Sequence, residues 1–161
     1  MARRWLFKSE PSEYGIDQLA AEPDGRARWD GIRNHQARNY LRDEVAAGDL
    51  VFFYHSSCRV PGVAGICRVV SSPYPDPSQF DPDSPFFDPR ARPDSPRWYA
   101  VDIALEERFP EILPAALLRA DPQLAEMVLF RQPRLSVQPV SEAQWRRILD
   151  LERAQRHSPG R

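Results

Sequence analysis

The chain has 161 residues, 42% of them hydrophobic, with four Trp, eight Phe and five Tyr. That is one domain's worth of sequence with enough apolar side chains for a core, which excludes an intrinsically disordered chain. A formal net charge of −1 excludes a global field that gathers nucleic acid or acidic membrane, so any nucleic-acid role has to rest on a local patch.

Of the 22 basic residues only Lys8 is a lysine. Arginine forks phosphate and stacks on bases better than lysine does, although a GC-rich genome produces the same bias. Cys58 and Cys67 form no CxxC pair, so neither a disulfide framework nor a structural zinc site fits their spacing. No apolar run approaches the roughly 18 residues of a membrane span, and the N-terminus has no apolar signal core. The expectation is a soluble, cytoplasmic, monomeric protein with no membrane partner.

In chain order, "RWLFKSEP" reads as a short strand over Trp5–Lys8, stopped by Pro11. "YGIDQLAA" gives one or two helical turns, with Gly15 as N-cap and Asp17 near the positive end. In "RWDGIRNHQARNY" and beyond, Ala37, Tyr40, Leu41 and Val45 fall on one apolar helix face, and Gly48-Asp49 ends that helix. "LVFFYHS" and "PGVAGICRVV" read as buried strands joined by a short turn. Residues 71–96 hold eight of the 17 prolines and cannot form a central strand. Phe80, Phe86 and Phe87 make that segment an ordered loop laid over the core. "WYAVDIALEE" alternates, with Tyr99, Val101, Ile103 and Leu105 on one face. "LPAALLRADPQLAEMVLF" holds two short helices, the second with Asp121 as N-cap and Pro122 at its first position. "RLSVQPV" is a last strand. The final helix begins at Ser141, where Gln144 completes a capping box and Val140 and Trp145 are spaced as a hydrophobic staple. Residues 1–151 form one domain by this reading, and 152–161 a frayed, disordered polar tail.

Four chemistries can be weighed. A Ser/His/acid triad lacks a G-x-S-x-G elbow. His55, Cys58 and Cys67 converge on a metal only if adjacent strands align them; otherwise they are a strand-end histidine and two small thiols. The Glu106-Glu107 and Asp43-Glu44 pairs read as solvated. The fourth is base binding, which asks for an aromatic platform, edge-bonding amides and cations for phosphates. Trp29, with Asn34 and Gln36, supplies the first two, and Arg26, Arg28, Arg33, Arg38 and Arg42 the third. Arg38 and Arg42 lie one turn apart on a helix. A solvated helix face with a core tryptophan accounts for the same residues.

The blocks "WLFKSEPSEY", "RWDGIRNHQARNYLR", "GDLVFFYHSSCRVPGVAGICRVV", "YPDPSQFDP", "PRWYAVDI" and "RLSVQPVSEAQWRRIL" together resemble the EVE-domain family from about Arg3 to Leu151. The resemblance implies an α+β, PUA-like fold: a curved β-barrel of about five to six strands with peripheral helices, related to the YTH and SRA readers of methylated bases. It implies a non-enzymatic reader of a modified base, with modified cytosine in DNA preferred over RNA, and no catalytic residue, cofactor or metal. Carried over by position, the base pocket is Lys8, Ser9, Glu10, Trp29, Asn34, Tyr54, His55, Ser56, Leu135, Ser136 and Gln138, with Arg28, Arg33, Arg38 and Arg42 on phosphates. Two departures stand out. His35 takes a place where many relatives carry Tyr, and "SSCRVPG" offers no second cage aromatic, so Tyr54 or a Phe of the proline-rich loop has to serve. An enzyme acting on nucleic acid or nucleotides, or a small-molecule binding module, is the alternative.

Overall fold

The structure is a computed structural model that describes residues 2–158. Seven strands lie among them: β1 (Arg4–Ser9), β2 (Arg26–Trp29), β3 (Leu50–His55), β4 (Gly62–Val69), β5 (Tyr74–Pro75), β6 (Tyr99–Pro114) and β7 (Val137–Pro139). The α-helices are α1 (Ile16–Ala21), α2 (His35–Asp43), α3 (Ala115–Ala120), α4 (Val128–Arg131) and α5 (Glu142–Arg156). One mixed sheet runs β2-β6-β4-β3-β1-β7, with β5 paired to β6. This is the α+β, PUA-like architecture expected, with two differences. The strand path is open, ending at β2 and β7, and two short strands, β2 and β5, join the five legible in the sequence.

The pair β1 and β3 is parallel, Trp5 opposite Val51 and Phe7 opposite Phe53. Alternation sends those four side chains into one core with Trp29, Leu19 and Leu41. Leu6, Phe52 and Tyr54 point into a second core with Phe109, Leu113, Trp145 and Ile148. Burial on both faces is why "LVFFYH" is apolar throughout and does not alternate. Helices α1 and α2 cover the first face and α3, α4 and α5 the second.

Curvature comes from bulges. Register shifts lie between Phe53 and Tyr54 on β3, and at two places along the β4–β6 pairing; a bulge bends and twists its strand. A Cβ on Gly65 would overlap the Glu107 carbonyl and the tip of Ile16, so this crossing needs glycine. Strand β6 therefore continues past Glu107 to Pro114, further than its alternation indicates. Pro110 falls in the irregular interval between the Gly65–Arg108 and Val63–Leu113 pairs, where a missing N–H costs no ladder bond.

The capping signals correspond to real ends. The Ser141 hydroxyl accepts from the Gln144 N–H at 3.1 Å, and Asp121 caps a 3-10 turn over Pro122–Leu124; α2 is capped by Asn34, expected in the base pocket, whose Oδ1 accepts from the Ala37 N–H at 2.9 Å. Trp145 stacks on Phe52 with ring centroids 3.7 Å apart. The tail requires correction: α5 does not stop at Leu151. Its last turn is clamped to β6, because Arg153 and Arg156 both pair with Glu107, at 3.0 and 2.8 Å, and with the buried Glu152. Residues 159–161 of the expected tail lie outside the described residues. Among the described residues no helix is long and apolar enough to cross a membrane.

Asp49, just before β3, ties β1 to the segment that follows α2. Its buried carboxylate accepts from the Trp5 indole, the Arg3 N–H and the Ala46 N–H, each at 2.9 Å. Asp49→Ala strands these donors, one of them an indole inside the core. It should cost about 2–4 kcal/mol, read as a lower urea midpoint at unchanged m-value.

Candidate functional site

A cavity of about 1180 Å³ opens at the end of the sheet where β1 and β3 finish together. Ser9 pairs with His55 there, the Ser56 N–H donates to the Ser9 carbonyl and the Lys8 N–H donates to the Ser136 carbonyl, both at 2.9 Å. These bonds gather Lys8, Ser9, Glu10, Ser56 and Ser136 around one opening. Strand β2 forms the facing wall with Arg26, Ala27, Arg28 and Trp29, followed by the turn Asp30–Ile32. Trp29 is thus the last residue of a strand. It is only 6% exposed, packed by Phe7 at 5.5 Å and Phe53 at 5.4 Å. It is an inner wall, and its indole N–H has no hydrogen-bond partner among the described residues.

The turn after Trp29 is held by a buried carboxylate. Asp76, fully buried, accepts from the Gly31 N–H at 2.9 Å, Arg33 at 3.0 Å and Ser78 through both its N–H and its hydroxyl. Arg33 continues to the Phe86 carbonyl at 2.7 Å, and its guanidinium lies 5.6 Å from the Phe86 ring centre. Gly31 has φ of +77°, and a Cβ there would meet the Phe86 ring at 2.8 Å. The proline-rich loop thereby brings Phe86, 38% exposed, to the cavity, where it joins Trp29 and Tyr14 among the lining aromatics.

The charge lining the cavity balances: Lys8, Arg26, Arg28 and Arg134 against Glu10, Glu13, Glu22 and Asp30. Such a lining suits an uncharged ring with donor and acceptor edges better than a phosphate. Arg28 is bonded to Asp30 at 3.0 Å. Lys8 Nζ donates to the Pro133 carbonyl at 2.6 Å, and burial lowers its pKa. The Tyr14 hydroxyl is pushed up to about 12 by burial and by Glu22 beside it. Ser9 Oγ donates to the Tyr14 carbonyl at 2.6 Å, leaving its lone pairs to accept. The side chains of Glu10, Arg26, Ser56, Arg134 and Ser136 have no hydrogen bond or ion pair to another described residue.

Several expected site residues lie elsewhere. Tyr54 points through the sheet into the second core, because β3 places Phe53, not Tyr54, on the Trp29 side. His55 is half-buried, its Nε2 accepting from the Ile16 N–H at 3.1 Å; burial lowers its pKa despite Asp17 nearby. Gln138 is fully buried and donates to the Leu135 carbonyl. Asn34 and Leu135 miss the main cavity and line a smaller one beside it. Arg33 is a structural tie. Arg38 donates to the Arg97 carbonyl at 2.5 Å and lies over Trp98, and Arg42 pairs with Asp43. Of the expected phosphate contacts only Arg28 lines the cavity. Glu13, Tyr14, Glu22 and Arg134 are lining residues that no local pattern indicates, since they converge from separate turns. Among the described residues no group of three or more His, Cys, Asp or Glu side chains is placed to hold a metal ion.

Acid should loosen this site. Burial alone pushes the Asp76 carboxyl up, but bonds from Ser78, Gly31 and Arg33 outweigh it and hold its pKa below the ordinary value. A depressed carboxyl pKa contributes stability that is present above the unfolded value, about 3.9, and is lost as pH falls through the folded value. Asp76→Asn should therefore be less stable than the parent by about 2 kcal/mol at pH 7. The gap in melting temperature should narrow below about pH 4.

The comparisons with known proteins agree in kind. Residues 3–151 match the EVE domain model. Human thymocyte nuclear protein 1 is 37% identical over 169 residues, covering 94% of this chain and 75% of that protein. A hypothetical protein from Leishmania major superposes with a TM-score of 0.93 at 40% identity, covering 98% of each chain. The human THYN1 protein, solved in complex with 5-methylcytosine-containing DNA, superposes with a TM-score of 0.89 at 37% identity over 94% of this chain and 98% of that one. Matched along nearly its whole length in sequence and in fold, the chain belongs to the EVE-domain family.

Proposed function

We propose that this protein is a non-catalytic reader of DNA carrying a modified cytosine, and that it takes that base into the large cavity between Trp29 and Phe86. The observation that carries this reading is the cavity: charge-balanced, walled by an inner and an outer aromatic, and rich in uncommitted polar groups. The human relative's complex with 5-methylcytosine-containing DNA supports the choice of base and polymer. Glu10 accepts from the exocyclic amino group of cytosine, the pairing a carboxylate makes with that base. Ser56 and Ser136 bond the remaining edge, and Ser9 accepts. Arg26 meets a flanking phosphate from β2.

Two features weigh against catalysis. The Cys67 thiol is pushed up to about 12 by burial, which removes it as a nucleophile. The His55 ring nitrogen already accepts a backbone bond. A buried methyl contributes only about 0.8 kcal/mol, so burial alone separates methylated from plain cytosine severalfold, and stronger preference needs clashes or unpaired groups against the wrong base.

The test is fluorescence anisotropy with matched methylated and unmethylated oligonucleotides. Trp29 is a core residue, so Trp29→Ala confounds binding with folding; Phe86→Ala spares the core. It should weaken binding by about 1–3 kcal/mol, the range for one base–aromatic stack, while the melting temperature changes little. Arg26→Ala should lower the salt slope by about 1. Undiminished affinity in a folded Phe86→Ala variant, with no preference for the methylated oligonucleotide in the parent, defeats the reading. A flat salt response points instead to a small-molecule ligand.

A further inference from the structure

We propose that the smaller cavity beside the first is a second subsite, which takes the base adjacent to the modified one and prefers a purine there. This rests on the reading of the large cavity as a base site. The smaller cavity measures about 330 Å³ and is lined by Asn34, Gln36, Gln132, Pro133, Arg134 and Leu135. Pro133 and Arg134 line both cavities, so the two adjoin. Its volume sits at the lower end of ligand cavities, about 300–1,000 Å³. That leaves room for a base and not for a whole nucleotide.

The polar accounting picks out this cavity. Asn34 spends its carbonyl oxygen on the Ala37 N–H at the start of α2, so what remains is an NH₂ that donates. The side chains of Gln36 and Gln132 have no hydrogen bond to another described residue, and neither does Arg134, whereas Arg33, Arg38 and Arg42 of the same region are all bonded internally. The segment that carries Gln132 and Arg134 is held in place. The Gln132 N–H donates to the Val128 carbonyl at 2.8 Å, the Leu135 N–H donates to the Gln132 carbonyl at 3.1 Å, and Lys8 holds the Pro133 carbonyl. Four side chains able to donate, from two separate parts of the chain, therefore converge on one concavity flanked by Pro133 and Leu135.

The free amides of Gln36 and Gln132 both donate and accept, the pattern that pairs with adenine N6 and N7, while Arg134 only donates, the pattern that pairs with guanine O6 and N7. Both purines carry the N7 acceptor these pairings use; cytosine presents an amino donor, and thymine a single oxygen beside a methyl group. Arginine paired with guanine is the commonest specific contact of this kind.

The experiment measures affinities for 5-methylcytosine oligonucleotides in which each neighbour of the modified base is varied through all four bases. The parent should bind about tenfold more tightly with either purine than with thymine at one neighbouring position. The double variant Gln36→Ala, Gln132→Ala, exposed at both sites, should lose most of that preference and keep the parent's ratio of methylated to unmethylated affinity. Equal affinity for all four bases at both neighbours, with the methyl preference intact, overturns the second subsite alone. A purine preference that survives undiminished in the double variant also overturns it. Absence of the methyl preference in the parent overturns the base-site reading and this inference together.

Discussion

Asp76 has no solvent exposure and accepts hydrogen bonds from three directions: the Gly31 turn that follows β2, Arg33 just before α2, and Ser78 in the proline-rich loop. A carboxylate taken out of water is costly unless its lone pairs are filled, and here they are filled by segments with no other reason to meet. Trp29 and the turn beyond it consequently hold their place against the sheet. Arg33, fixed by Asp76, reaches on to the carbonyl of Phe86 and draws the loop over Gly31. Both aromatic walls of the cavity depend on this one buried charge, although neither touches it through its ring.

The same accounting explains the excess of polar side chains along the start of α2. Arg33, Arg38 and Arg97 all lie within 5.7 Å of the Trp98 ring centre, and His35 lies against that ring at 4.9 Å. The Trp98 indole N–H is taken by Asp88 at 2.7 Å. This stretch of helix grips the loop through a tryptophan, in a setting where partly desolvated cation–π contacts are worth about 0.5–2 kcal/mol each. What it leaves over is small and specific: the amides of Asn34 and Gln36. The arginines free to meet a ligand come from elsewhere, Arg26 on β2 and Arg134 before β7. A guanidinium that already has partners is a structural part, and one without partners is available.

Much of the fold was legible because local signals coincide with tertiary burial. Ala37, Leu41 and Val45 face the core as their spacing requires, and Ser141 with Gln144 starts α5 where the capping pattern places it. Strand β2 was not legible: four residues, "RARW", are too short for alternation to register, and the strand exists because β6 offers it a partner from Val101 to Ala104. The end of α5 was misjudged because a polar sequence looks frayed until Glu107 appears opposite it from another strand. In the site, Lys8, Ser9, Glu10, Trp29, Ser56 and Ser136 do share one cavity. Tyr54 and Gln138 do not, because a one-residue shift along a strand exchanges the two faces of the sheet.

By itself the sequence determined five of the strands and where most helices lie, which faces are apolar, where α5 begins, and to which family the chain belongs. Those properties are written in residues close together along the chain. Only the tertiary structure decided which of the many arginines are spent and which are free, which aromatic is wall and which is core, and that Asn34 and Gln36 serve a second concavity. Each of these depends on a partner tens of residues away, such as Asp76 for Arg33 or Pro133 for Lys8. A hydrogen bond across that separation leaves no period or motif in the sequence to mark it.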